Sequence, residues 1–280
     1  MMVQTAPAGE AHFVCTMADH NALCGQFAQA FGNDDFERVA PFDEMLFVTS
    51  HHDYGWSEWD ADPLFDAKTG LPAGLGQTPA KIGLEANRRS PEYNEQHHAY
   101  CGLLSSMHSW GLFNARYGYS QFRVRKGGST SVPIPEDAKD QGHSMLDGEV
   151  ARQARLKAAL AADPRTRGWV EDKHLFQNYK QLQFFDTLAL YFNLRHAGER
   201  DEEVYTNVPR NADEETSIRV RPVGEATYAL APFPFVGRKL EVSCRGRYVK
   251  PLPGDTAPAE AAAHFKNLPI TTQVYTFVAG

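Results

Sequence analysis

The chain has 280 residues, of which 42% are hydrophobic and 22% are charged, and its formal net charge is -7 with all 11 histidines neutral. This composition supplies enough apolar surface for a core and excludes a largely disordered chain. The acidic balance argues against a protein that coats nucleic acid by neutralising phosphates. It does not argue against a small phosphorylated ligand.

Targeting signals and cysteine motifs are absent from the sequence. No apolar run approaches the roughly 20 residues of a membrane span, and the first ten residues lack the basic start and apolar stretch of a secretory signal. We therefore expect a cytoplasmic protein without membrane contact. No two of the four cysteines form a Cys-x-x-Cys pair, which favours buried free thiols over a thiolate zinc site.

A helical period dominates the first 200 residues. Thr16 and Asp19 resemble a capping box at the start of the first helix, and Pro41 suits an early position in the second. The predicted helices run over Met17–Phe31, Pro41–Tyr54, Pro91–Arg116, Leu146–Ala162 and Glu171–His196. Long Gly/Pro-rich loops separate several of them.

The pattern changes near residue 200. The runs "TSIRVRPVG", "ATYALAPF", "KLEVSCRGRYV" and "ITTQVYTFVA" are short, rich in β-branched and aromatic residues, and punctuated by Pro and Gly, as strands are. We predict a mainly α fold, with a helical domain over residues 1–200 and an antiparallel β-rich extension over 201–280 packed on it. This extension could close a pocket or make a homodimer contact.

The densest chemical signal is "SHHDYGW", residues 50–56. Adjacent helical residues lie about 100° apart, so His52 and Asp53 can reach one point on the inner face of the second helix. An imidazole and a carboxylate form part of a ligand set for zinc, iron or manganese. The alternative is that His52 hydrogen-bonds within the core while Asp53 faces solvent.

Two more candidates lie on apolar helix faces. His20 shares its face with Leu23 and Phe27, where a core histidine is the alternative to a ligand. Asp186 lies within the apolar run "LQFFDTLALYFN". A buried carboxylate needs a cation or several donors, so metal ligation and pairing with an arginine are both open.

A further histidine comes from the third predicted helix, which contains His97, His98 and His108. His97 and His108 are 11 residues apart, or about 16 Å along a continuous helix, so they cannot bind the same ion. We prefer His108 because it lies deeper in the apolar stretch. His97 and His98 then lie at the helix entrance or the pocket rim.

The order of these residues resembles the HD metal-dependent phosphohydrolase superfamily. His20 matches the first His of its signature, His52-Asp53 the His-Asp doublet, and Asp186 the distant Asp. This resemblance implies an HD-domain-like helical bundle in which these four residues bind one divalent ion. It also implies that Asp53 can bridge to a second ion, with His108 as an added ligand.

Longer segments resemble an uncharacterised bacterial domain family. They are "DHNALCGQFAQAFGN", "HHDYGWSEWDADPLFDAKTGLP", "YCGLLSSMHSWGL" and "LQFFDTLALYFN". The resemblance covers most of the chain. Tyr54 stands where that family is expected to carry a second Asp, which argues against an acid/base role at this position.

The predicted function is metal-dependent hydrolysis of a phosphate ester, with a nucleotide as one candidate. One or two divalent ions (Fe, Mn or Zn) would activate water, with Asp53 and His51 as catalytic residues and a small anionic substrate as partner. Arg88, Arg89 and the cluster Arg116, Arg123, Arg125 and Lys126 could bind phosphate, although a solvated surface is the alternative. The competing hypotheses are an HD-like di-iron oxygenase and a binding protein without turnover.

Overall fold

The computed structural model of the chain describes residues 1–114 and 131–280. Helices make up 49% of it, and they pack against a large curled sheet. The helices are α1 (Met17–Ala30), α2 (Phe42–Thr49), α3 (Ser57–Ala61), α4 (Ala80–His97), α5 (Ala99–Phe113), α6 (Lys139–Ala162), α7 (Asp172–Leu194) and α8 (Pro258–Asn267). Over the described residues, no helix is long and apolar enough to cross a membrane.

The main sheet has seven strands in the order β1-β2-β8-β9-β7-β6-β5, and β3 pairs with β4 in a separate ribbon. The strands are β1 (Met2–Val3), β2 (His12–Cys15), β3 (Phe65–Asp66), β4 (Leu71–Pro72), β5 (Glu203–Pro209), β6 (Glu215–Gly224), β7 (Thr227–Ala231), β8 (Lys239–Val249) and β9 (Thr271–Ala279). β7 and β9 are parallel, and the other neighbours in the main sheet are antiparallel.

The predicted mainly α, HD-like bundle with a C-terminal antiparallel β addition is wrong. The sheet is mixed, and its edge is built by β1 and β2, which precede the first helix; Phe13 of β2 lies opposite Tyr248 of β8. These two strands are too short to show an alternating pattern, so only their pairing defines them: β1 pairs with β2, and β2 pairs with β8. The four predicted strand runs are confirmed as β6, β7, β8 and β9.

The second and third predicted helices end earlier than their sequence patterns indicate. α2 stops at Thr49, and the chain continues through a turn into a short 3-10 helix, Tyr54–Trp56. The predicted helix over Pro91–Arg116 is broken at His98, whose backbone is extended and whose Nδ1 accepts a hydrogen bond from the amide of Tyr100. The first helix is as predicted, with Thr16 Oγ1 accepting from the Asp19 amide at 3.0 Å.

The core lies between the sheet and the pair α1 and α7. The rings of Phe27 on α1 and Phe192 on α7 both pack against Phe277 of β9, with centroid distances of 5.5 and 5.4 Å. All three side chains are fully buried. The sheet therefore supports the two helices that carry His20 and Asp186.

Gly55 lets the segment after α2 pack closely on α4. Its amide donates to Ser90 Oγ at 3.0 Å. A Cβ atom at this position would overlap the carbonyl oxygen of Ala86. The glycine of the HHDYGW segment thus fixes the path of the turn that carries His52 and Asp53.

We expect Gly55→Ala to lower the free energy of unfolding by about 1–3 kcal/mol, the usual effect of overpacking. Chemical denaturation measures the change. The matched control is Gly148→Ala inside α6, where a Cβ meets nothing within 4 Å. That variant should gain roughly 0.5–1 kcal/mol because a helical glycine is replaced by alanine. Equal stability of the two variants would contradict the close approach at Gly55.

Candidate metal centre

The structure brings the five predicted ligands into one buried cluster. Exposed fractions are 0% for His20 and His52, 1% for His108, 3% for Asp186 and 9% for Asp53. Two overlapping groups have all their ligand atoms within 4.8 Å of one another. The first group is His20, Cys24, His52 and Asp186, and the second is His52, Asp53 and His108.

His20 lies between two oxygen acceptors. Its Nδ1 is 2.8 Å from Asn193 Oδ1, and its Nε2 is 2.9 Å from Asp186 Oδ1. A neutral imidazole has only one N–H. Because both ring nitrogens face oxygen atoms, a neutral ring can donate a hydrogen bond to only one of them.

His52 reaches the cluster from the turn after α2, not from a helix. Its Nδ1 donates to the Thr49 carbonyl oxygen at 3.0 Å, which leaves Nε2 to point into the cluster. Nε2 is fully buried and has no hydrogen-bond partner. It lies 3.7 Å from Asp53 Oδ2 and 3.7 Å from Asp186 Oδ1. Such a buried nitrogen between two carboxylates suits a metal ligand.

The electrostatics of the cluster are set by these carboxylates. Burial disfavours the charged His52 ring, but Asp53 and Asp186 outweigh it and raise its pKa from 6.5 to about 9. Burial also disfavours charge on Asp186, yet His20 and His52 hold the pKa of that carboxyl well below its usual range. At His108, burial and the neighbouring His52 lower the pKa.

Asp53 lies between two histidines. Its Oδ2 faces His52 as described, and its Oδ1 is 3.9 Å from His108 Nε2. The far side of the His108 ring is held by the Gln183 side-chain amide, 3.1 Å from Nδ1. The two imidazole rings are 4.8 Å apart. One carboxylate oxygen of Asp53 therefore faces each of the two histidines.

His51 lies outside the ligand cluster. Its Nδ1 donates to the Phe47 carbonyl oxygen at 2.8 Å, and its ring stacks on that of Phe47 at 4.3 Å. Together with Asp53 it lines a cavity of about 520 Å³ between α1 and the segment after α2. This volume is typical of small-molecule sites. The side chain of Asp53 is 12% exposed and therefore connects the cluster to the cavity.

Among the described residues, the other candidates from the sequence do not join this cluster. The His97 ring stacks on Phe47 at 3.5 Å, and His98 caps α5. Arg88 and Arg89 form ion pairs with nearby glutamates on the protein surface. Arg116, Arg123, Arg125 and Lys126 lie outside the described residues.

Sequence reasoning treated Cys24 as an ordinary buried thiol. In the structure its Sγ lies 3.7 Å from His20 Nε2, one helical turn along α1. The signal that could have found it is the i, i+4 spacing from His20, which places both side chains on one helix face. Burial and the charge of Asp186 raise the pKa of this thiol.

Comparison with known protein families identifies the family to which the chain belongs. Residues 1–251 match the model described as "Protein of unknown function (DUF3891)". The chain belongs to the DUF3891 family. The expected membership of a domain family of unknown function is thus confirmed, and the match includes every ligand candidate described above. No curated protein and no solved structure matches the chain.

We expect metal binding by this DUF3891 protein to strengthen with rising pH. A pKa of about 9 keeps His52 protonated at neutral pH in the metal-free protein, so a metal ion must displace that proton. Apparent Zn²⁺ affinity should therefore rise toward about pH 9, by up to roughly tenfold per pH unit. Competition with a chelator at several pH values measures the slope.

The control for this titration is His51→Gln, which changes a neighbouring histidine outside the cluster. It should retain the pH dependence of the unmodified protein, whereas His52→Gln should lose most of the affinity. A pH-independent affinity, corrected for the chelator's own protonation, would contradict the assignment of His52 as a ligand.

Proposed function

We propose that this protein is a metal-dependent hydrolase of a phosphate ester. The observation that carries the proposal is the unpartnered, fully buried Nε2 of His52, placed between the carboxylates of Asp53 and Asp186. Hydrogen bonds to buried polar atoms are rarely missing in native proteins. A divalent cation would satisfy this nitrogen and both carboxylates at once.

The donor set fits zinc, iron or manganese. Imidazole nitrogens and carboxylate oxygens are their usual ligands in catalytic sites. His20, His52 and Asp186 would hold one ion, and Asp53 and His108 could hold a second beside it. The order His20, His52-Asp53, Asp186 resembles the ligand signature of HD phosphohydrolases, which favours hydrolytic chemistry although the fold differs from the expected bundle.

When bound here, a divalent ion lowers the pKa of water and polarises a phosphoryl oxygen. Hydrogen bonds within the protein orient the two histidine rings that would bind the ion. Asn193 and Thr49 fix the orientation of His20 and His52 by hydrogen bonds on the far side of each ring. His51, with Nδ1 held by a backbone carbonyl, can exchange a proton with a substrate through Nε2.

The cavity beside Asp53 is the proposed binding site for the alcohol part of the ester. Asn21 lines it, is only 2% exposed, and has an Oδ1 atom without a hydrogen-bond partner. Asp60 also lines it, while accepting hydrogen bonds from the amides of Met17 and Ala18. Such acceptors suit an alcohol that carries further hydroxyl groups, as a sugar or nucleoside does.

We expect Asp53→Ala to lower kcat/KM for a phosphate ester by at least about 100-fold, since changes of groups that merely orient ligands already cost 10–100-fold. A panel of phosphomonoesters and nucleotides, assayed with Mn²⁺, Fe²⁺ or Zn²⁺, identifies the substrate. Elemental analysis of the same samples should show reduced metal content.

The matched control is Asp147→Asn, a carboxylate on the exposed side of α6. It should retain both activity and metal. Metal-loaded protein that hydrolyses no ester in the panel would contradict the proposed function. Turnover that consumes dioxygen would instead assign the protein to the oxygenases.

A second expectation concerns Asn21→Leu. Loss of one hydrogen bond to a neutral group corresponds to about 0.5–1.5 kcal/mol, so KM for sugar or nucleoside phosphates should rise roughly 3–10-fold with little change in kcat. Steady-state kinetics with 4-nitrophenyl phosphate, whose alcohol carries no further hydroxyl, serve as the control. An equal rise in KM for both substrate types would contradict a hydroxyl-recognising cavity.

A further inference from the structure

We infer that the Cys24 thiolate is a ligand of the ion held by His20, His52 and Asp186, and that this ion is Zn²⁺ or Fe²⁺. The inference rests on the proposed metal centre but concerns the coordination and identity of its ion. The cysteine is not isolated, because the unpartnered Nε2 of His52 belongs to the same group of ligand atoms.

The distance between Cys24 and His20 agrees with tetrahedral coordination, whereas His20 Nε2 and Asp186 Oδ1, now 2.9 Å apart, would have to separate by about 0.4 Å. Zn–S and Zn–N bonds of about 2.3 and 2.05 Å place a sulfur and a nitrogen ligand about 3.6 Å apart at the tetrahedral angle. The distance from Cys24 Sγ to His20 Nε2 is 3.7 Å. His52 Nε2 lies 3.7 Å from Asp186 Oδ1, and all four ligand atoms lie within 4.8 Å of one another. Only small side-chain movements are therefore needed to enclose an ion.

The position of Cys24 on α1 supports the same conclusion. One helical turn separates it from His20, so the backbone holds both side chains on one face. The thiol of Cys24 is fully buried, so solvent cannot stabilise its thiolate form. A bound cation would compensate the negative charge of that thiolate.

A thiolate in the ligand set selects among metals. Sulfur ligands favour zinc and iron over the harder manganese and magnesium ions, which prefer oxygen. With Cys24, His20, His52 and Asp186 on the buried side, Asp53 remains at the cavity. These four ligands would fill the tetrahedral positions of that ion, so the open position for water would belong to a second ion held by Asp53 and His108.

Cobalt substitution tests this inference directly. The full chain is stripped of metal, loaded with Co²⁺, and compared with Cys24→Ser and with Cys101→Ser, which removes a buried thiol outside both ligand groups. Thiolate ligation gives a sulfur-to-cobalt charge-transfer band in the near ultraviolet. We expect the band in the unmodified protein and in Cys101→Ser, and its loss in Cys24→Ser.

X-ray absorption of the zinc form should show a sulfur neighbour at about 2.3 Å.

The outcomes separate the two proposals. Bound Co²⁺ without the band, or a band that persists in Cys24→Ser, overturns the thiolate ligand and leaves the metal centre intact. Failure of the unmodified protein to bind Co²⁺ or Zn²⁺ overturns the metal centre itself, and this inference with it. Because serine is nearly isosteric with cysteine, a circular dichroism spectrum like that of the unmodified protein shows that Cys24→Ser is folded.

Discussion

Charge compensation of Asp53 and Asp186 is the constraint on which this site depends. Both carboxylates are buried against imidazoles, and burying an isolated carboxylate is strongly unfavourable. In the metal-free protein Asp53 and Asp186 raise the pKa of His52 against the effect of burial, so a proton on that imidazole provides part of the compensation. A divalent metal ion would compensate the same two carboxylates with two positive charges at one position. Binding of the proposed metal ion would therefore replace a proton at carboxylates that are already buried together.

The fold meets this constraint by holding the three imidazole rings of the cluster in fixed orientations. Asn193, Thr49 and Gln183 contact the ring nitrogens of His20, His52 and His108 that point away from the carboxylates. These partners come from α7 and from the end of α2. Because the sheet supports α1 and α7 through buried aromatic rings, a rigid scaffold carries both the ligands and the groups that orient them.

The site has two chemically different sides. His20, Cys24 and Asp186 lie on the enclosed side, where burial favours tight retention of an ion. Asp53 and His51 line a cavity large enough for a small molecule. In the proposed site, this separation would let the enclosed residues retain one ion while Asp53 and His108 hold the ion with an open position for water.

The sequence by itself identified the candidate ligands. Asp186 stood out because a carboxylate inside a strongly apolar helical run needs a partner, and the HHDYGW segment stood out because its residue types are metal ligands. The separation of His108 from His97 assumed one continuous helix, which the structure breaks at His98; His108 lies in the cluster, whereas His97 stacks on Phe47. The sequence also located four strands of the sheet, whose alternating β-branched residues are a local signal.

Only the tertiary structure decided how these parts combine. The strands β1 and β2 are two and four residues long, too short for a periodic signal, and they form because β8 pairs with β2 and β2 in turn pairs with β1. His52 and Asp53 were expected on a helix but lie in a turn, whose path depends on contact between Gly55 and α4. The role of Cys24 was hidden for a related reason. A thiol on an apolar helix face looks like core until the fold places His52 and Asp186 beside it.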